Sequence, residues 1–133
     1  MIFVDTNYFL RFLLKDNYDQ HLEAKNLFLQ GAAGTIKLTT SIIVIFEIYW
    51  VFKSYYEKDK TEIIEILKNL LSMDFIQIND KKIFITCLDI FSNSNLSLED
   101  CYNLSFAKKN KTEQFKTFDA KLAKEFKKSS KNK

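Results

Sequence analysis

Four acidic side chains, Asp5, Glu47, Asp100 and Asp119, occupy positions where a carboxylate is not an ordinary surface residue. Asp5 ends the apolar stretch Ile2-Phe3-Val4, and Asp119 ends Phe115-Lys116-Thr117-Phe118. Asp100 stands three residues after Ser97, and Glu47 is the one polar residue among the eleven from Ile42 to Phe52. No Lys or Arg lies within a helical turn of Glu47, and its helical neighbours are Ile43, Val44, Trp50 and Val51, so its carboxylate is expected to look inward. An ionised carboxylate taken out of water costs several kcal/mol unless something positive or protic meets it. Carboxylates that converge raise one another's proton affinity until a cation neutralises them. All-oxygen donors select Mg²⁺ or Mn²⁺ over zinc or copper. Such ions activate water for in-line attack on a phosphodiester and hold the charge of the leaving oxygen.

Taken singly, each acid has a structural explanation. Asp5 and Asp119 can N-cap the helices that follow them, Asp100 can close a capping box with Ser97, and Glu47 can sit at the rim of a core helix. Capping leaves Glu47 unexplained, and it gives no reason for two caps to fall at one edge of a sheet. Other chemistries are excluded by composition. With no Pro and only Gly31 and Gly34, neither the P-loop nor the dinucleotide fingerprint can be built. His21 is the only His, which removes zinc sites built on several His and most Ser/His/Asp triads.

These acids need elements to hold them. The pattern predicts a strand at 2–4, a helix from Thr6 to Lys15, a second helix with Leu22, Leu27 and Phe28 on one face, and a second strand at Ile36 to Thr39. The Glu47 helix follows, running to Tyr56, then an amphipathic helix at Lys60 to Ser72 and a third strand at Phe75 to Ile78. Helices at Lys81 to Phe91 and Leu98 to Lys109, a fourth strand at Phe115 to Phe118 and a last helix from Asp119 complete the chain. Strands alternating with helices make an α/β fold with a mainly parallel sheet. Ligands in such sheets lie beyond the carboxyl ends of the strands, where Asp5 and Asp119 both fall.

The opening VDTN, Glu47 in its hydrophobic helix, the LEDCYNLSFA stretch around Asp100 and the TFD ending at Asp119 resemble the acidic motifs of the PIN domain. More narrowly, they resemble the compact VapC-type ribonuclease toxins of type II toxin-antitoxin systems. The resemblance covers almost the whole chain and implies a three-layer α/β sandwich, with a sheet of four to five strands flanked by helices. It implies endonucleolytic cleavage of RNA with Mg²⁺ or Mn²⁺. Asp5 and Asp100 become the principal metal ligands, Glu47 and Asp119 complete the acidic pocket directly or through water, and Asn7 and Thr117 hold the neighbouring acids by hydrogen bonds. Asn103, one turn after Asp100, can face the pocket. Cys101 and Tyr102 depart from the small or apolar residues usual beside that acid. The resemblance further implies a small cognate antitoxin and a homodimer; neither can be read from the residues themselves. The competing reading is a catalytically inactive PIN-like module that binds RNA or protein, although such a module has no need of Glu47.

The expected organisation is a nuclease domain at residues 1–127 and a disordered lysine-rich tail at 128–133. Cys87 and Cys101 fit no CxxC spacing and read as reduced core thiols, which points to the cytoplasm. The longest apolar run is broken by Glu47 and is too short to span a bilayer. The net charge of +3 conceals a split: residues 108–133 carry ten Lys against Glu113, Asp119 and Glu125, a balance of +7, and the remainder is −4. A basic end of this kind is either a solvated tail or a contact for nucleic acid phosphates.

Overall fold

The chain alternates strand and helix because its apolar spacing changes from continuous runs of two or three residues to a helical period. A computed structural model describes residues 1–131. The chain divides into two compact units, residues 1–81 and 82–133.

The first unit holds the sheet. β1 (Ile2–Phe3), β2 (Leu38–Thr40) and β3 (Ile76–Ile78) lie in that order and are all parallel, with Phe3 opposite Thr39 and Thr39 opposite Gln77. Parallel strands need long crossovers. Here α1 (Thr6–Leu14) and α2 (Tyr18–Ala32) join β1 to β2. α3 (Ile42–Trp50), a π-helical turn at Val51–Tyr55 and α4 (Lys60–Leu71) join β2 to β3. Helix starts follow the capping residues: Asn17, Ser41 and Asp59 accept from the backbone N of Gln20, Val44 and Glu62. The helix anticipated as far as Tyr56 is α-helical only to Trp50; Tyr56 N then donates to Val51 O at 3.2 Å, the longer i to i−5 closure.

Val4, Leu38, Ile76, Phe9, Phe28, Ile45, Ile48 and Leu67 form the buried interior of this unit. Phe28 packs on Phe9 and, edge on, against Phe12, with centroids 5.4 and 5.0 Å away. His21 stacks on Phe12, and its Nδ1 faces the carbonyls of Arg11 and Phe12 at 3.3 and 3.1 Å. Both partners only accept, so Nδ1 carries the proton, and the single His ties α2 to the end of α1. Gly31 lies where α2 crosses β2; a Cβ there would stand 2.7 Å from Leu38 Cδ1.

The second unit comprises α5 (Lys81–Ser92, whose first residue closes the first unit), α6 (Leu98–Lys109) and α7 (Ala120–Lys131). α5 buries Ile83, Phe84, Cys87, Leu88 and Phe91. Both cysteines are free and buried. Cys87 Sγ donates to Leu98 O at 3.5 Å, fastening α5 to the first residue of α6.

Two sequence expectations change. The fold is α/β with a parallel sheet flanked by helices, but the sheet has three strands among the described residues, not four or five. Phe115–Phe118 forms no strand: Phe115 packs on Phe126 of α7 at 5.4 Å, and Thr117 Oγ1 accepts from Asp119 N at 3.0 Å. That local side-chain bond takes a backbone donor into a turn instead of a ladder. The lysine-rich tail expected at 128–133 is helical through Lys131, and residues 132–133 lie outside the described residues.

Two outcomes follow from this packing. Gly31→Ala should lower unfolding free energy by about 1–3 kcal/mol, as overpacking does, measured by urea titration. Burial, then the proximity of Cys101 and Glu99, pushes the Cys87 thiol well up from 9.0. A thiol that keeps its proton in the folded state contributes stability below the unfolded pKa and loses it as pH rises beyond. Between pH 9 and 10.5, unfolding free energy should therefore fall more steeply in wild type than in Cys87→Ala, by up to about 1.4 kcal/mol per pH unit.

Candidate functional site

Parallel pairing brings the exits of β1 and β2 to one edge. Val4 N donates to Thr39 O at 2.8 Å, and Thr40 Oγ1 donates to Val4 O at 2.7 Å. Asp5 leaves β1 at that edge, and Ser41, the cap of α3, leaves β2 beside it. Thr40 is a buried hydroxyl that the sequence reading passed over; its bond to Val4 O holds the two exits together.

Asp5 occupies the N-cap position of α1, yet its side chain makes no capping bond. Only its backbone carbonyl is used, accepting from Tyr8 N at 3.1 Å. Capping therefore does not account for this acid. The next residue, Thr6, is buried, and its Oγ1 has no hydrogen-bond partner. A buried hydroxyl left unpaired costs about 1–3 kcal/mol. Thr6 faces the interior, whereas the Asp5 side chain is exposed and keeps both carboxylate oxygens available to a hard divalent ion.

Glu47 departs from its expected position. It is half-buried, and of the neighbours expected to enclose it, Ile43 is 62% and Trp50 43% exposed, while Val44 is buried and Val51 half-buried. The apolar run is long enough to bury one side of α3, through Val44, Ile45, Ile48 and Tyr49, and to spill on to the other. Glu47 stands on that outer side, with no hydrogen bond or ion pair among the described residues. α3 packs against α1, the helix that Asp5 begins.

In the second unit, Asp100 is the third residue of α6. Ser97 Oγ accepts from Asp100 N at 3.1 Å, but the reciprocal bond of a capping box, from Ser97 N to the Asp100 carboxylate, is not made. The acid is half-buried and its carboxylate uncommitted. Asp119 differs: Oδ1 accepts from Lys121 N at 2.9 Å and Leu122 N at 3.2 Å, so this acid caps α7 and keeps one oxygen for other work. Thr117 holds the Asp119 backbone N. Asn7 makes no hydrogen bond to Asp5; it lines a depression of about 260 Å³ with Tyr8, Arg11, Gln20 and Glu23. There Tyr8 is bonded to Glu23, and burial followed by that bond raises its phenol pKa. Asn103 is exposed.

Asp5 and Glu47 thus belong to the first unit, and Asp100 and Asp119 to the second. Among the described residues, no three His, Cys, Asp or Glu side chains gather closely enough to form a metal cluster. Asp5, Asp100 and Asp119 each stand at a helix N-terminus, where the helix dipole favours a negative charge. The donor chemistry is all oxygen, as Mg²⁺ or Mn²⁺ requires.

Because Glu47 is half-exposed and unpaired, Glu47→Gln should change the metal-free unfolding free energy by no more than about 0.5 kcal/mol. Thermal melts with and without Mn²⁺ should show a stabilising shift in wild type and a smaller one in the variant.

A family model described as PIN domain matches residues 2–127. No curated protein matches the chain. Among the described residues, no helix is long and apolar enough to cross a membrane.

Proposed function

The chain belongs to the PIN-domain family, and we propose from that premise that it is a Mg²⁺- or Mn²⁺-dependent endoribonuclease acting as the toxin of a toxin-antitoxin pair. PIN domains are a family of nucleases, typically metal-dependent, whose substrate is nucleic acid. The observation that supports the reading is that Asp5, which stands where a cap belongs, makes no side-chain capping bond and leaves its carboxylate exposed and free. Asp100, three residues after the N-cap Ser97, likewise makes no hydrogen bond with its carboxylate among the described residues.

In this reading Asp5 and Asp100 hold the divalent ion, and Glu47 and the free oxygen of Asp119 act directly or through water. Such an ion lowers the pKa of a water and offsets charge on the leaving oxygen of a phosphodiester. The chain's own contribution is to keep these oxygens uncommitted. Ser97 satisfies the start of α6, so Asp100 need not. Lys121 N and Leu122 N fix the Asp119 carboxylate through one oxygen, and Thr117 steadies the turn that leads to it. RNA with unpaired bases is the expected substrate, because an A-form duplex hides its base edges in a groove side chains cannot enter. A small antitoxin and a second copy of the chain are the proposed partners; exposed Ile43 and Trp50 beside Glu47 supply apolar surface of the kind partners cover.

Purified protein should cleave single-stranded RNA in Mg²⁺ or Mn²⁺ and stop in EDTA. Asp5→Asn and Asp100→Asn should each reduce the rate by more than about a hundredfold, since even partners that only orient a ligand are worth 10–100-fold, with circular dichroism unchanged. Cleavage that persists in EDTA, or in both variants, contradicts the mechanism. RNA binding without any cleavage favours the inactive binding module.

A further inference from the structure

Within the second unit, a depression of about 480 Å³ is lined by Lys82, Ile83, Thr86, Ser105, Lys108, Lys109 and Lys111. None of its four lysines has a hydrogen bond or ion pair with a described residue. Two have a local explanation: Lys108 and Lys109 lie in the last turn of α6, where the helix dipole favours cations. The other two do not. Lys82 is in the first turn of α5, where that dipole opposes a positive charge, and Lys111 holds a left-handed backbone at φ 53°. Lys111 N bonds back to Lys108 O at 3.1 Å, and Thr112 N to Ala107 O at 3.1 Å, so the turn that carries Lys111 is fixed. Four unpaired cations around one concavity repel each other in the free protein, and a polyanion relieves that repulsion. Ser105 spends its hydroxyl on Cys101 O at 2.9 Å and serves as floor; the Thr86 hydroxyl remains free to donate.

We propose that this lysine-lined depression between α5 and α6 binds the sugar-phosphate backbone of single-stranded RNA, with Phe106 as a stacking surface for a neighbouring base. Phe106 stands outside the depression's lining, three residues before Lys109 on the surface of α6, is 47% exposed and has no aromatic partner among the described residues. An exposed ring beside cations is the arrangement that holds a single strand by its backbone and its base faces together. A free phosphate or an acidic peptide has no use for the ring. The depression lies about 10 Å along α6 from Asp100 and roughly 130° around its axis, so it grips RNA that flanks the bond to be cut, not the scissile phosphate itself. This assignment rests on the proposed nuclease reading for its choice of nucleic acid, but binding is measured apart from cleavage. It also relocates the basic contact anticipated in the C-terminal segment, since Lys82 lies far outside it in sequence and Lys108 to Lys111 lie at its beginning.

The test is the affinity of the full chain for a single-stranded RNA oligonucleotide in EDTA, by fluorescence anisotropy over a series of salt concentrations. Lys108→Glu with Lys111→Glu should weaken binding at least about tenfold and make the slope of log affinity against log salt shallower by about 1.4, since each single-strand phosphate contact contributes about 0.7. Phe106→Ala should weaken RNA binding by about tenfold or more while leaving the affinity for heparin, a polyanion without bases, unchanged. Lys68→Glu, on an exposed lysine in the first unit, is the control for net charge and should cost no more than a small uniform loss. An unchanged salt slope in the lysine variant, or an equal loss in Lys68→Glu, overturns the proposal. So does a Phe106→Ala variant that binds RNA like wild type, or one that loses RNA and heparin alike. Cleavage failing in Mg²⁺ while these binding results hold would count against the nuclease reading alone.

Discussion

The start of a helix leaves backbone N–H groups that need acceptors, and a carboxylate placed there either closes the helix or stays in water. Asp5, at the N-cap of α1, and Asp100, at the third position of α6, both stand where a side-chain acceptor can close the helix. What sets them apart is that neither closes it. At α6 the cap is Ser97; at α1 the side-chain cap bond is absent. Asp119 shows the ordinary alternative in the same chain, with one oxygen spent on two backbone amides. The contrast separates acids with uncommitted side chains from an acid that is partly structural.

The supporting structure serves to keep these helix starts in place. Parallel pairing of β1 with β2, locked by the Thr40 hydroxyl on Val4 O, fixes the edge from which α1 and α3 depart. The Phe9, Phe12 and Phe28 cluster, with His21 stacked on it, fixes α1 against α2. Cys87 on Leu98 O ties α5 to the start of α6. Each contact ties a helix to the element that precedes or follows it, so a core substitution that loosens one shifts a helix start without touching the acids.

Much of this was legible in the sequence. Period and capping residues locate β1 to β3 and the seven α-helices of the described residues, because those signals are local. The fourth strand was misread because Phe115-Lys116-Thr117-Phe118 alternates like a strand, whereas Thr117 and Phe126 recruit it into a turn and a ring contact that no window of sequence displays. Glu47 was placed too deep for a related reason: a run of apolar residues longer than one helix face can bury puts some of them outside, and the sequence does not say which. Whether a cap is used depends on side-chain geometry, so Asp5 and Asp119 are alike in sequence and differ only in their hydrogen bonds. The lysine depression escaped notice because Lys82 is separated from Lys108 by a whole helix and turn.

The proposed nuclease function requires that Asp5 and Asp100 both bind a divalent metal ion. The direct measurement is paramagnetic broadening of amide NMR signals by substoichiometric Mn²⁺. The account predicts that the signals of Thr6 and Cys101, the residues following the two acids, broaden together at the lowest Mn²⁺ concentrations and that both effects vanish in Asp5→Asn. Broadening confined to one of the two, or spread evenly over surface acids such as Glu62 and Asp89, would contradict it.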